Sequence, residues 1–492
     1  MDSPTAPVLN IGRILDFPGQ HSTTKPVSIR FSHDLIETIS YVPEQDVAKL
    51  SEEQLGLLAL PALVNAHDHG RGLASYAFGA LDQALELWLP ALKLKPQLSV
   101  YSLSALALAK MARGGVGAVV HCHNPSGGDL LAESLAVCQA ARDVGMRLAL
   151  ALPLCDRNFL AYGTPERLLE LLPDNKREQV LKTWNPPTLT PQEQVDRVHN
   201  IAAECEGDLI HIQYCPRGPQ WCSEELLETI AVASANTGRR IHTHLFETKY
   251  QREWGDAHYP QGLLNYLDTI GFLSPRLTLA HGAWLRPAEL DLLAERGVII
   301  SVNTSSNLRL RSGLAPYRAM LQAGISTAFG LDGMSLNDNE DAFEELRLNY
   351  HIHSEPGIES GLTSIDLFNS HRNGVTAVTN NPNGGLLKPG EPADIVVLDY
   401  GAMTQDMVPD VCNVAETVLM RGAQRYVKSL WVAGRQVVDE GQVLGVDEAA
   451  LQAEVQTLLR SQANHVYSLQ PLVNQYQQAL RQFYREGRHT IT

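Results

Sequence analysis

Eight apolar runs of strand length recur along the middle of the chain, and stretches with the spacing of amphipathic helices separate them. Strands that alternate with helices in this way are typical of a parallel sheet with crossover helices. Eight repeats are the number that closes a barrel, so we predict an α/β fold of the (β/α)8 TIM-barrel type. The eight runs span residues 60–65, 117–121, 147–153, 209–214, 240–245, 277–281, 298–302 and 327–331.

The two ends of the chain show a different pattern. Short apolar runs broken by Gly, Pro, Ser and Asp fill residues 8–60, and similar β-rich runs return at 393–399 and 429–439. We expect both ends to form one small β-sandwich-like domain. The final stretch has helical spacing of Leu, Val and Tyr without a chemical motif, which indicates a packing or oligomerisation helix. The predicted parts are a small β domain (1–60 and 385–446), a barrel domain (61–384) and a C-terminal helical extension (447–492).

Composition and charge narrow the class of partner. Of the 492 residues, 39 are Lys or Arg and 55 are Asp or Glu, and the net charge of -16 opposes nucleic-acid phosphates and anionic membrane surfaces. The amino terminus lacks the pattern of a signal peptide, and no apolar run approaches the length of a membrane span. The seven cysteines form no C-x-x-C pair, which suggests free thiols in a reducing compartment. We therefore expect a cytoplasmic protein that acts on a small molecule, without a nucleic-acid or membrane partner.

Two histidines follow the first predicted barrel strand in the sequence His67-Asp68-His69. Alternate residues of a strand share a face, so both imidazoles can point toward one metal ion at the rim of the barrel. An H-x-H pair alone is a weak signal, because ordinary polar residues also end strands. Its meaning depends on the residues that follow the other strands.

Three later strand ends carry side chains of the same chemical types. His242 and His244 lie on the fifth run, and Glu247 follows three residues later, close enough to face the same pocket if a helix begins there. His281 ends the sixth run and Asp332 follows the eighth. Because the active sites of TIM barrels lie at the carboxyl ends of the strands, we predict that these residues converge.

Several motifs resemble the amidohydrolase superfamily, and within it the branch of cytosine deaminase, adenosylhomocysteine deaminase-like and s-triazine hydrolase enzymes. The resemblance runs from about residue 8 to about residue 445 and covers nearly everything except the tail. The motifs are Pro61-Ala-Leu-Val-Asn-Ala-His67-Asp-His69, His242-Thr-His244-Leu-Phe-Glu247-Thr, Ala280-His281-Gly, Ser305-Ser-Asn-Leu-Arg-Leu-Arg-Ser-Gly313, Gly330-Leu-Asp332-Gly and Leu387-Lys-Pro-Gly-Glu-Pro-Ala-Asp-Ile-Val-Val-Leu398.

The resemblance implies a role for each of these side chains. One divalent ion per chain is implied, with zinc expected and iron, manganese or cobalt as alternatives. Its ligands would be His67, His69, His244 and Asp332. Glu247 would be the proton shuttle, and His281 would lie beside the attacking water, either as a weak ligand or as a donor to the developing oxyanion. Asp332 would thus be both a ligand and a catalytic residue. A homodimer or a larger even homo-oligomer is also implied.

Two departures from the family pattern bear on the substrate. Arg217 lies where many relatives have a substrate-contacting histidine, and its guanidinium suits a carboxylate, a phosphate or a polarised carbonyl. A structural salt bridge is the alternative for Arg217. His121-Cys-His123 is a further H-x-H pair, which would supply either substrate contacts or a second metal site. The predicted substrate contacts are Arg217, His281, Trp88, His121, His123 and Asn307.

The remaining signals favour one ion over two. The binuclear branch of the superfamily uses a carboxylated lysine at the end of the fourth strand, and residues 209–214 contain no lysine. His242 faces away from His244 on an extended strand, so we interpret it as structural. Three further histidines lack a comparable context and are interpreted as surface or packing residues. They are His351, His353 and His371.

The implied chemistry is hydrolysis of a carbon–nitrogen bond other than a peptide bond. A divalent ion held by three imidazoles and a carboxylate lowers the pKa of bound water to roughly 7, and the hydroxide attacks an sp2 carbon. An amine leaves poorly unless it is protonated, so Glu247 favours deamination of an aminated heterocycle or of a guanidino or amidine compound. Hydrolysis of a cyclic amide or of another C–N bond is the alternative, followed by hydrolytic dehalogenation. A noncatalytic structural role is disfavoured, because every implied ligand is retained.

Overall fold

The computed structural model describes residues 8–491 apart from 17–20, 24, 158, 186, 360, 383 and 410. Residues 1–7 of the predicted small domain lie outside the described residues. The strands are β1 (Val8–Ile11), β2 (Arg13–Asp16), β3 (His21–Thr23), β4 (Val27–Ser32), β5 (Leu35–Tyr41), β6 (Leu57–Pro61), β7 (Leu63–Asp68), β8 (Val116–Cys122), β9 (Arg147–Leu154), β10 (Ile210–Pro216), β11 (Ile241–Leu245), β12 (Leu277–His281), β13 (Ile299–Val302), β14 (Ser326–Phe329), β15 (Ile395–Asp399), β16 (Val427–Val432), β17 (Arg435–Asp439) and β18 (Gln442–Val443).

Helices follow most of the barrel strands and also form the tail. They are α1 (Glu44–Val47), α2 (Glu52–Leu55), α3 (Leu85–Ala91), α4 (Val100–Arg113), α5 (Leu130–Val144), α6 (Pro165–Leu169), α7 (Asp174–Trp184), α8 (Pro191–Cys205), α9 (Glu224–Thr237), α10 (Lys249–His258), α11 (Leu263–Thr269), α12 (Pro287–Glu295), α13 (Thr304–Arg309), α14 (Tyr317–Gln322), α15 (Ala342–His353), α16 (Ser364–Thr379), α17 (Tyr400–Thr404), α18 (Val414–Arg421), α19 (Glu448–Ser461) and α20 (Ala463–Arg485). Within the described ranges, none of these helices has the length and apolarity needed to cross a lipid bilayer.

Strands β7 to β14 form one parallel sheet in which each strand pairs with the next strand along the chain. Every residue of β8 and of β12 is buried, as expected for strands that are covered on both faces. The last strand lies beside the first, because the Asp332 N–H, shortly after β14, donates to the carbonyl of His67 on β7 at 2.9 Å. The strands therefore form a nearly closed barrel, and the predicted (β/α)8 fold is confirmed.

The two chain ends meet in a separate seven-stranded sheet with the order β18-β17-β16-β15-β6-β2-β3. β6 pairs antiparallel with β15, with Pro61 opposite Ile395 and Leu57 opposite Asp399. An apolar cluster that includes Phe31 and Ile395 joins this sheet to a three-stranded sheet of order β1-β4-β5. A small β-rich unit built from both ends is thus confirmed.

The first predicted barrel run, residues 60–65, is wrong in its boundaries because it is divided between the two units. β6 ends at Pro61 in the seven-stranded sheet, and β7 begins at Leu63 in the barrel. The N–H of Ala62 donates to the carbonyl of Asp394 at 3.0 Å, whereas the next N–H, that of Leu63, donates to Gly115 at 2.8 Å. A continuous apolar run hides this change of partner, since both strands are buried.

The C-terminal extension forms two helices that pack on their own chain. α19 contacts α4, and α20 contacts α3, α6 and α7. Tyr476 and Phe483 of α20 are fully buried. The Tyr476 hydroxyl donates to the carbonyl of Leu160 at 2.5 Å, and its ring centre lies 4.7 Å from that of Trp184. The extension is therefore part of the wall around the barrel.

Phe483→Ala tests this packing. Removal of a buried phenylalanine side chain leaves a cavity, so we expect the free energy of unfolding to fall by about 3 to 5 kcal/mol. Tyr467 lies on the same helix and is 72% exposed, so Tyr467→Ala is the matched control, with an expected change below about 0.5 kcal/mol. Equilibrium unfolding in urea measures both variants. Equal stability of the two variants would contradict the packing of α20 on the barrel.

Candidate active site

Four side chains from the carboxyl ends of three barrel strands converge on one point. They are His67 and His69 at the end of β7, His244 on β11 and Asp332 after β14. The Nε2 atoms of His67 and His69 lie 3.4 and 3.2 Å from Asp332 Oδ1. The Nε2 atoms of His69 and His244 are 3.4 Å apart. The structure thus brings together the residues that the sequence suggested as ligands.

Hydrogen bonds behind this point determine which ring nitrogen faces it. His69 Nδ1 donates to the carbonyl of Cys122, and His244 Nδ1 donates to the carbonyl of Arg217, both at 2.8 Å. A carbonyl only accepts, so in the neutral rings the proton lies on Nδ1 and the Nε2 lone pair faces the site. His67 Nδ1 lies 2.8 Å from Nε2 of His242, which therefore supports the third ring.

Burial sets the charge of these groups. It lowers the pKa of His67, His69 and His244, so the rings are neutral at physiological pH. Burial also opposes the charge of Asp332, but the neighbouring imidazole of His67 and the charge of Arg71 hold the pKa of Asp332 well below its usual value. One carboxylate and the Nε2 atoms of three neutral imidazoles therefore face one another.

The spacing of these donors fits a single four-coordinate metal ion. Donors arranged tetrahedrally at about 2.0 to 2.1 Å from zinc lie about 3.3 to 3.4 Å apart, and the observed separations are 3.2 to 3.4 Å. His67 Nε2 and Asp332 Oδ1 are buried and have no hydrogen-bond partner among the described residues, although buried polar atoms ordinarily have one. The set could hold a divalent ion.

Glu247 and His281 face each other beside this donor set. His281 Nε2 lies 3.8 Å from Glu247 Oε2, and His281 Nδ1 lies 2.9 Å from Asn307 Oδ1, which orients the ring. Thr248 caps α10, so the chain turns into a helix directly after Glu247. Burial raises the pKa of Glu247 to about 7, which suits a group that accepts and donates protons near neutral pH.

Two of these residues have strained backbones. His281 has a φ of 74° and Asp332 a φ of 59°, in the left-handed region that residues other than glycine seldom adopt. Such conformations cost about 1 to 3 kcal/mol and concentrate at functional sites. The surrounding barrel must therefore hold both residues in place.

A cavity of about 660 Å³ opens onto the converging side chains, a volume typical of small-molecule sites. Its wall includes His69, His244, Glu247, His281 and Asp332, together with the predicted substrate contacts Trp88, His121, His123 and Arg217. Asn307, also predicted to contact substrate, is not among the lining residues and instead contacts His281.

The second histidine pair lies in the cavity wall, apart from the donor set. His123 Nε2 lies 2.8 Å from Glu133 Oε2. Burial lowers the pKa of His121 to about 3, and its Nδ1 has no hydrogen-bond partner in the described part of the chain. No group of described residues that could hold a metal ion includes either histidine. His121 therefore offers a neutral imidazole to whatever fills the cavity.

The sequence indicated that the segment 85–90 shapes the substrate pocket, but it gave no individual role to Glu86 or to the tyrosines around it. Glu86 Oε1 accepts from Thr248 Oγ1 at 2.5 Å and from the Tyr162 hydroxyl at 3.1 Å. Its Oε2 is buried and lacks a partner among the described residues, and Glu86 lines the cavity. Tyr484 of α20 also lines the cavity, and its hydroxyl accepts from the Tyr162 N–H at 3.2 Å. A lone acid in the apolar segment 85–90 was a usable signal, whereas the tail carried none.

Arg71 belongs to the loop 70–73, which the sequence also suggested as part of the substrate pocket, and it links the donor set to the cavity wall. Its guanidinium donates to the carbonyl of Asp332 and stacks over the ring of Trp88 at 4.8 Å.

The three histidines interpreted as surface or packing residues lie away from the donor set. His371 Nε2 accepts from the backbone N–H of Val64 at 2.7 Å, His353 Nε2 lies 2.9 Å from Thr304 Oγ1, and His351 is exposed.

Comparisons with known proteins identify relatives along most of the chain. The model of the amidohydrolase family matches residues 58–437. A 5'-deoxyadenosine deaminase from Methanothermobacter thermautotrophicus is 30% identical, over 70% of this chain and 74% of the relative. A 5'-deoxyadenosine deaminase from Methanopyrus kandleri is 28% identical, over 82% of this chain and 86% of the relative. A 5-methylthioadenosine/S-adenosylhomocysteine deaminase from Pyrococcus horikoshii is 26% identical, over 80% and 85%.

Solved structures share the fold. An adenosine deaminase from Xanthomonas campestris with bound zinc has a TM-score of 0.75 at 21% identity, over 93% of this chain and 98% of that chain. An atrazine chlorohydrolase from Arthrobacter aurescens complexed with zinc has a TM-score of 0.76 at 22% identity, over 92% and 99%. The match to the family model covers most of the chain, and the 30% relative is aligned over most of its own length. The chain therefore belongs to the amidohydrolase family.

Proposed function

We propose that this protein is a metal-dependent hydrolase that uses water to remove an amino group from an aminated heterocycle or from a guanidino or amidine compound. One observation carries the proposal: the unpartnered donor atoms converge on one point in the cavity wall, with Glu247 beside them. The names of the relatives support the reaction, because they are deaminases of adenosine analogues.

The proposed ion is zinc, and its proposed ligands are His67, His69, His244 and Asp332. A divalent ion held there would supply Lewis acidity, which makes water a competent nucleophile at neutral pH. Three neutral imidazoles and a carboxylate are usual zinc ligands, although iron, manganese and cobalt accept the same set. Bound zinc in the adenosine deaminase structure supports this choice.

Glu247 is proposed as the proton shuttle. As a carboxylate it removes a proton from the attacking water, and as an acid it delivers a proton to the leaving nitrogen. With a pKa of about 7, both forms exist near neutral pH. The nitrogen then leaves as neutral ammonia, and the oxygen of the water stays on the carbon.

His281 is proposed to face the oxygen on which negative charge develops when water adds to the carbon. Its Nε2 lacks a partner in the described part of the chain and lies on the Glu247 side of the ring. Asn307 holds the ring at Nδ1, so we propose a positioning role for Asn307. A fixed polar group at that place stabilises the transition state without reorganisation. A further weak bond from His281 to the ion is the alternative.

Hydrolysis of a cyclic amide is the second candidate reaction. The same groups would act on a carbonyl carbon, and Glu247 would again protonate the leaving nitrogen. A halide leaves without a proton, so the burial of Glu247 beside the donor set favours both C–N reactions over dehalogenation.

We also propose that the protein acts in the cytoplasm as an even homo-oligomer. The cysteines are free thiols in the structure, which is typical of a reducing compartment. The proposed assembly follows the family resemblance, and light scattering of the purified protein measures it.

Elemental analysis of the purified protein is expected to find about one divalent ion per chain. His69→Ala removes one donor and should lower that content at least about tenfold, since even residues that only orient a ligand affect metal affinity this much. His351 is exposed, so His351→Ala is the matched control and should retain the ion. Two ions per chain, or full occupancy of His69→Ala, would contradict the proposed site.

Glu247→Gln keeps the shape of the side chain but cannot carry the proton. Ammonia release from a panel of aminated heterocycles should fall by about a hundredfold to ten-thousandfold, with the metal content unchanged. Glu225 is exposed, so Glu225→Gln serves as the control and should react at the rate of the unmodified protein. Equal rates for Glu247→Gln and the unmodified protein would exclude the shuttle. Products from cyclic amides alone would favour the second candidate.

A further inference from the structure

Positive charge collects in the wall of the cavity. The side chains concerned are Lys95 and Arg217, which are half-buried, and Lys93 and Arg197, which are exposed; none of them pairs with a carboxylate in the described part of the chain, although Glu86, Glu247 and Asp332 line the same cavity. The formal net charge of the whole chain is -16, so this accumulation runs against the overall balance. A cation that lines a cavity without a carboxylate partner can bind a ligand of opposite charge.

Lys95 is half-buried, and the nearby carboxylate of Glu133 has other hydrogen-bond partners. Glu133 acts on Lys95 through its charge. Its oxygens, however, contact His123 Nε2 at 2.8 Å and accept from the N–H groups of Ser126 and Gly128 at 3.0 Å. Burial lowers the pKa of Lys95, and the charge of a nearby arginine lowers it further. Lys95 therefore loses hydration without gaining a carboxylate contact.

Arg217 also lines the cavity without a carboxylate partner among the described residues. Its Nε is buried without a partner among the described residues, and its guanidinium lies 5.5 Å from the ring centre of Phe159. Asp156, at the end of the neighbouring strand β9, instead accepts from the N–H and the hydroxyl of Ser223 at 2.6 and 2.5 Å. The salt bridge considered for Arg217 is absent from the described structure. The Arg217 carbonyl accepts from His244 Nδ1, so its backbone contacts the donor set while its side chain lines the cavity.

Lys93 and Arg217 both line the cavity, and their charges interact. Burial lowers the pKa of Lys93, and the charge of Arg217 lowers it further. Like charges destabilise each other, and the half-buried Arg217 also loses solvation. A single anionic group placed between them would relieve both effects and accept charge-assisted hydrogen bonds.

We propose that the substrate is an anion, an aminated heterocycle that carries a carboxylate or a phosphate, and that Lys93, Lys95 and Arg217 bind the anionic group. The inference rests on the proposed function for the reacting end of the molecule and adds the substrate class. Two of the relatives are named for 5'-deoxyadenosine, which is uncharged, whereas S-adenosylhomocysteine, for which a third is named, carries an amino-acid carboxylate.

Isothermal titration of the metal-loaded protein with malonate and with inorganic phosphate tests the anion site apart from turnover. Chloride keeps the ionic strength constant. We expect saturable binding of the anion to the unmodified protein. The affinity should fall by about tenfold to hundredfold in Lys95→Met and in Arg217→Met, because each variant loses one or two charge-assisted hydrogen bonds. Lys95→Arg keeps the positive charge, so its binding should be weakened less than that of Lys95→Met. Lys25 is exposed and lies in the small β unit, so Lys25→Met is the matched control and should bind normally.

The outcomes distinguish a carboxylate from a phosphate, and binding at the proposed site from binding elsewhere on the protein. Tighter malonate binding assigns a carboxylate, and tighter phosphate binding assigns a phosphate. No saturable binding of either anion overturns the proposal. Binding that both Lys95→Met and Arg217→Met leave unchanged occurs elsewhere, for example at the metal ion, and overturns it too. Circular dichroism and metal content establish that each variant is folded and loaded.

A second arm separates this inference from the deaminase proposal. Ammonia release is compared for matched pairs that differ only in a carboxylate against a carboxamide, such as adenosine-5'-carboxylate and its amide or pterin-6-carboxylate and its amide. A higher kcat/KM for the carboxylate, lost in Lys95→Met, supports both proposals. Equal kcat/KM for the two members of each pair overturns the anionic substrate and leaves the deaminase in place. Anion binding without ammonia from any aminated compound overturns the deaminase and leaves the anion site.

Discussion

The bond between the Asp332 N–H and the carbonyl of His67 joins the last barrel strand to the first, and the geometry of the site depends on it. The N–H groups on either side of Asp332 also donate to β7, to the side chains of Asn65 and Asp68 at 3.0 and 2.8 Å. These contacts hold Asp332 in its strained conformation. They also place its carboxylate against the imidazoles of β7, which lie far away in the sequence.

Removal of water from this rim has two opposite consequences, and both serve the proposed chemistry. Burial keeps the imidazoles of His67, His69 and His244 neutral, so their lone pairs remain available. The same burial raises the pKa of Glu247, so this carboxyl group exchanges a proton near neutral pH. One physical cause thus prepares ligands and a proton carrier, because desolvation disfavours whichever form is charged.

The parts outside the barrel also shape the site. Strand β6 of the seven-stranded sheet ends at Pro61, shortly before β7 begins at Leu63. The sheet therefore positions the strand that leads to the first two histidines. From the other end of the chain, the Tyr484 hydroxyl accepts from the Tyr162 N–H. The Tyr162 hydroxyl in turn accepts from Gln251 Nε2 at 3.4 Å, and Gln251 Oε1 accepts from the Glu247 N–H at 2.8 Å. The tail is therefore connected to the proposed proton shuttle by consecutive hydrogen bonds.

The sequence by itself determined the barrel and most of the side chains that converge, because both follow from local patterns. Strand and helix periods repeat within short windows, and parallel strands bring their carboxyl ends to one rim. Position on a strand therefore predicted that His67, His244 and Asp332 would meet. The roles of these residues remain proposals that the expected measurements test.

Only the tertiary structure decided which neighbours each group has. It divided the apolar run at 60–65 between two sheets, and it placed Asn307 against His281 instead of in the cavity wall. It also brought Tyr484 and Lys95 to the cavity, although neither belongs to a motif. The physical reason is that burial and unpaired charge are properties of contacts between distant segments, which no local pattern of residues encodes.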